Sequence, residues 1–151
     1  MNPKKGIILF FGCLVVSSCI AQTPNRSKPD MAWQKNWKDF QISARMRLRP
    51  SLKILMSPNF IYSRTPSKVK GDPRNLAFEY WDMPDVYGWE ELAKCVSLGW
   101  AKSATYSKQF GKPAIVAPAR AVDDANYNGY RLVFLMQADK TWRCVLFLKK
   151  K

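Results

Sequence analysis

Histidine is absent from all 151 residues, and acidic side chains are scarce, 11 against 25 Lys and Arg. The missing imidazole removes Ser-His and Cys-His nucleophile pairs, the side chain best suited to acid–base work near neutral pH, and the commonest zinc ligand. No Cys-x-x-Cys occurs, which argues against a redox-active cysteine pair. No internal repeat is visible, and no apolar run reaches the roughly 20 residues that a membrane-spanning helix needs. The shortage of acids leaves a formal net charge of +14. Long-range attraction of that sign favours anionic partners: nucleic acid, acidic lipid head groups, lipopolysaccharide or wall polymers.

What is present at the start of the chain sets the compartment. Lys4 and Lys5 precede an apolar run from Gly6 to Val16 that ends in small residues. A charged head, an apolar middle and a small-residue exit make up a secretory signal peptide. Two processing routes fit the exit. Val16-Ser17-Ser18-Cys19 resembles the bacterial lipobox, and that resemblance implies acylation of Cys19 and a membrane-anchored lipoprotein. A cut after Ala21 instead gives a soluble exported protein beginning at Gln22. An uncleaved anchor is a third possibility. Export of either kind argues against nucleic acid as the partner.

The chain then divides into a signal peptide over 1–21, a polar and Pro-rich tether over 22–30, and one domain over 31–151. With Cys13 and Cys19 assigned to the leader, Cys95 and Cys144 remain as an even pair in an oxidising compartment, which points to a disulfide.

Within the domain, Trp33 and Trp37 stand four apart on a short helix over Met31 to Lys38, with Asp30 placed to cap it. From Phe40 to Met56 the even positions are apolar and the odd ones largely polar or basic, which predicts strand, divided at Pro50. On such a strand Arg45, Arg47 and Arg49 would project side by side about 7 Å apart, with Lys53 beyond them. Guanidiniums in a row can grip successive phosphates or carboxylates. The plainer alternative is a solvated edge whose charges block aggregation.

A basic loop over Thr65 to Asn75 follows, and Leu76 to Trp81 reads as strand. Glu79, Asp82, Asp85, Glu90 and Glu91 then reverse the sign of the charge, and the simplest account lays them beside the basic stretch. Asp82-Met-Pro-Asp85 matches no calcium-loop spacing, so no metal site is assigned. No motif for a cofactor is found.

Trp89 to Phe110 predicts one long helix, with Glu90 and Glu91 in its first turn and Gly111-Lys-Pro113 as its stop. Cys95 lies on its flank, and Ser103 and Ser107 join its apolar stripe, where hydroxyls could floor a small pocket. Ala114 to Ala121 reads as a strand near an edge because of Pro118. Tyr130–Gln137 and Thr141–Leu148 flank Ala138-Asp-Lys140 as a hairpin at the sheet centre, with Cys144 in reach of Cys95.

These elements predict an α+β fold, an antiparallel sheet of about five or six strands packed on one long helix. No motif selects a family. The leading functional expectation is a small, basic, exported envelope protein that is not an enzyme and binds an anionic envelope component or a protein partner through Arg45, Arg47, Arg49 and Lys53. One alternative is a small-ligand pocket between helix and sheet, lined by aromatic residues such as Trp100 and Tyr106. The other is a hydrolase working through carboxylates such as Glu79 and Asp82.

Overall fold

Trp33, Trp37, Phe40 and Ala44 recur at intervals of four, three and four, the spacing that puts side chains on one face of an α-helix. In the computed structural model, which describes residues 30–63, 65, 70–122 and 124–149, they line the buried face of α1 (Met31–Arg45). Asp30 caps this helix by accepting a hydrogen bond from the Ala32 amide at 3.0 Å. A tight corner leads into α2 (Arg49–Leu55), with Pro50 in its first turn, where a missing N–H costs nothing. The stretch expected as strand from its alternation is therefore helical up to Leu55. Its even positions split: Phe40, Ala44, Leu52 and Met56 are buried, whereas Ile42, Met46, Leu48 and Ile54 are exposed.

After β1 (Met56–Tyr62) comes α3 (Pro73–Trp81), which corrects the strand expected over Leu76 to Trp81. Asp72 supplies its N-cap and Pro73 its first residue, two helix-start signals side by side. The single long helix is also corrected. It divides into α4 (Gly88–Ser97) and α5 (Ala104–Phe110), separated by Gly99 at φ +73° and the two-residue strand β2 (Ala101–Lys102). Gly88 opens α4 where any Cβ would run into the Trp81 indole, so a side chain there would push α3 and α4 apart. Gly111, at φ +63°, ends α5 as its sequence position suggests.

The remaining strands are β3 (Ala114–Ala117), β4 (Tyr130–Met136) and β5 (Trp142–Lys149), with a 3-10 turn over Ala119–Ala121 after β3. The expected hairpin is present as β4 and β5. The five strands lie in the order β1-β5-β4-β3-β2, with β4 in the middle. The class is α+β, but the sheet is mixed rather than antiparallel: β1 runs parallel to β5, pairing Met56 with Cys144 and Tyr62 with Phe147. β3, expected near an edge, lies between β4 and the short β2.

Alternation along β4 separates two cores. Leu132 and Phe134 face a cluster closed by α1, α3 and α4, while Val133 and Leu135 face a smaller one beside Tyr106, Phe110 and Ala121. A register shift opposite Val133 and Phe134 adds a residue to β5, so Val145 and Leu146 both join the smaller cluster.

Aromatic rings fill the larger core. Trp33 lies 5.6 Å from Trp37, 5.3 Å from Trp100, 5.1 Å from Phe134 and 5.2 Å from Trp142, centroid to centroid. Three of these contacts are edge-to-face, the geometry that ring quadrupoles favour.

Candidate functional site

The corner between α1 and α2 carries the four cations expected to bind anions. Arg45 ends α1, where its charge suits the negative end of the helix dipole. Arg47 turns the chain with φ at +53°, a left-handed conformation that non-glycine residues seldom adopt. Arg49 and Lys53 lie four apart on α2 and face a groove shared with Asn75, Phe78 and Glu79 of α3.

The row of parallel arginines expected on a strand is not formed, because helix and corner direct these side chains separately. Three of the four cations meet carboxylates. Arg47 donates to Glu90 at 2.8 Å and lies 6.0 Å from the Trp89 ring. Arg49 pairs with Asp82, whose other oxygen accepts the Trp89 indole N–H at 2.9 Å. Lys53 reaches Asp72 and Asn75, each at 3.0 Å. The acidic stretch thus lies against the basic one, as its sign reversal suggested. Arg45 forms no ion pair among the described residues.

Asp72 is the most strongly held of the acids. Arg74 grips it through Nε at 2.9 Å and Nη2 at 2.7 Å, and Lys53 adds a third cationic donor. The Arg74 side-chain hydrogen bonds hold its carboxyl well below the usual carboxylate range, outweighing the opposing effect of burial, with a further contribution from Lys53. The Arg47 and Arg49 pairs are different: every member keeps two-fifths or more of its side chain in solvent. Such exposed pairs contribute about 0–1 kcal/mol each. They can open for a competing anion at small cost.

A second feature of the corner escaped the strand reading. Ile42, Leu48, Ile54 and Leu55 line one open groove of about 320 Å³ together with Asp39, Ser43 and Ser51. Ile42 is 47% exposed, Leu48 41%, Ile54 66% and neighbouring Met46 68%. The apolar groove and the groove of Arg49 and Lys53 are thus separate surfaces that both use α2, and Arg45 stands near the apolar one, three residues after Ile42 on α1.

Trp100 and Tyr106, expected to line one pocket, do not meet. Trp100 packs edge-on against Trp33 in the larger core, whereas Tyr106 stacks on Phe110 beside the smaller one. Ser103 and Ser107 do line a cleft, of about 440 Å³, with Trp142 and Met136. Both hydroxyls accept backbone N–H groups there, from Tyr106 at 3.2 Å and Ala114 at 3.0 Å. Of the candidate catalytic acids, Asp82 is occupied by Arg49 and Trp89, and Glu79 borders the Lys53 groove. Among the described residues no group of three or more His, Cys, Asp or Glu could hold a metal ion.

The expected disulfide is not formed. Cys95 and Cys144 are free, buried thiols. The Cys95 thiol donates to the Tyr130 carbonyl at 3.3 Å and that of Cys144 lies 3.6 Å from the Leu146 carbonyl, so each sulfur has a backbone partner. Burial, reinforced by Glu91, pushes the Cys95 thiol up to about 12. Burial likewise raises Cys144 well above the ordinary thiol range. Cys19, the expected acylation site, lies outside the described residues. No helix among the described residues is long and apolar enough to cross a membrane.

No protein-family model and no curated protein matches the chain. Among solved structures it is similar to a protein of Shewanella frigidimarina NCIMB 400 provisionally described as a ketosteroid isomerase. That match covers 80% of this chain and 96% of the other, at 16% identity and a TM-score of 0.37. The likeness is too slight to carry either fold or activity across.

Proposed function

We propose that the chain is a small basic binding module of the bacterial envelope whose partner is anionic. The observation that carries this reading is the α1–α2 corner, where Arg45, Arg47 and Arg49 are exposed and the last two are held by solvent-facing ion pairs. A polyanion can take over such pairs, because each contributes little to the fold. The whole-chain charge of +14 steers anions toward the molecule from beyond contact range. The leader over residues 1–21 supports an extracytoplasmic site of action, either anchored through Cys19 or free. No chemical step is assigned.

Retention on a sulfated anionic matrix, read as a function of salt, tests the proposal. The wild-type chain is expected to elute late, and earlier as ionic strength rises. The combined change Arg45→Gln, Arg47→Gln and Arg49→Gln should abolish most of that retention while moving the melting temperature by only a few degrees. Equal retention of the variant and the wild type would overturn the reading.

A further inference from the structure

We infer that the α1–α2 corner docks on an anionic lipid bilayer, with Ile42, Met46, Leu48 and Ile54 entering the head-group region and the neighbouring arginines meeting lipid phosphates. This deepens the anion-binding reading proposed above and rests on it. Ile42, Leu48 and Ile54 line the same groove, so they can enter one surface together. Met46 follows directly on Arg45, and the Arg45 side chain shares the helix end with Ile42, three residues earlier. Apolar side chains flanked by cations are the composition of elements that lie in an anionic membrane interface.

Other occupants use only half of this surface. A soluble polyanion satisfies the arginines and leaves Ile54 and Met46 in water. A neutral apolar ligand fills the groove and ignores the charges. A second copy of the chain would have to approach against like charge, because each molecule carries +14 and Arg45, beside Ile42, has no ion pair among the described residues. A bilayer containing acidic lipid answers both halves at once. Asp39, which also borders the groove, is partly offset by Lys35 at 3.9 Å.

The test uses the full chain carrying Cys19→Ser, so that no acyl group can hold it to lipid. Binding is read by co-sedimentation with vesicles of phosphatidylcholine alone and of phosphatidylcholine mixed with phosphatidylglycerol. The chain is expected to bind the mixed vesicles more tightly, with the difference shrinking as salt is raised. Met46→Ser with Ile54→Ser, two exposed and uncharged changes, should lower partitioning into the mixed vesicles about tenfold or more. The same pair should leave retention on the sulfated matrix unchanged.

If the double variant binds the mixed vesicles as well as the wild type, the inference fails while the anion-binding reading stands. If wild-type binding is equal on both vesicles, the anionic commitment fails. A concentration-dependent dimer abolished by the same two changes would assign the face to a second copy and overturn the inference. Should the wild type be retained by neither the vesicles nor the matrix, both readings fall together.

Discussion

Phe134→Ala is the most direct probe of whether the space between helices and sheet is solid protein. Phe134 sits in the central strand with no exposed surface, 5.1 Å from Trp33, 6.0 Å from Trp37 and 4.9 Å from Phe40. Truncating a buried phenylalanine costs about 3–5 kcal/mol, through lost transfer energy and the cavity left behind. Each ring pair adds about 0.5–1.5 kcal/mol beyond burial. The neighbours cannot close the gap easily, because Trp33 is itself held by Trp100 and Trp142. The loss should therefore reach the upper end, about 4–5 kcal/mol. At about 4 °C per kcal/mol for a domain of this size, the melting temperature should fall by about 15–20 °C. Differential scanning calorimetry reads this directly, and a small aromatic additive such as benzene should restore part of the loss in the variant alone, since dry apolar cavities bind such molecules. A fall below about 2 kcal/mol would refute the reasoning. It would mean that Phe134 borders a hydrated pocket rather than filling a packed core.

Two further outcomes are expected. The melting temperature should be the same with and without reductant, because Cys95 and Cys144 are free. A bridge closing that loop would add about 4 kcal/mol in the chain-entropy model, so a drop of roughly 15 °C on reduction would show that the thiols are joined. For Asp72, the folded-state pKa is depressed below the unfolded value of about 4. Its contribution is therefore complete above that unfolded value and is lost as pH falls toward the lower folded one. Thermal melts of wild type and Asp72→Asn should differ by a constant amount from pH 7 down to about pH 4 and draw together progressively as pH falls below it; curves that stay parallel through that acid range would remove Asp72 from the acid response.

The hairpin was legible because β4 and β5 are apolar on both faces and separated by a short turn sequence. The start of α1 and the end of α5 were legible from Asp30 and Gly111. The Phe40 to Met56 stretch was not. Its apolar residues serve two unrelated purposes: Phe40, Ala44, Leu52 and Met56 make the core, and Ile42, Met46, Leu48 and Ile54 lie outside it. Superimposed, the two sets mimic a period of two. A signal was available in Pro50, which suits the first turn of a helix as well as it breaks a strand. Asp72-Pro73 likewise marked the start of α3 within a loop reading.

The candidate corner was legible in its charges and not in its geometry. Sign reversal along the chain anticipated that carboxylates would meet the arginines, but only folding shows Arg47 with Glu90 and Arg49 with Asp82. The long helix failed at Gly99, where one left-handed residue redirects the chain into β2. The cysteine pairing rested on compartment and parity, and neither says where a sulfur points.

The place of β5 between β1 and β4 has a consequence for the order of events during synthesis. β1 is complete at Tyr62, yet its neighbour is not available until residues 142–149 have been made. Until then α1, α2 and α3 have no finished sheet to cover, and their tryptophans remain solvated or in transient collapse. The most distant strand pairing among the described residues is thus also one that closes the larger core, which cannot be completed until β5 has been made. A chain ordered in this way exposes the apolar residues of β1 to aggregation for as long as β5 is missing.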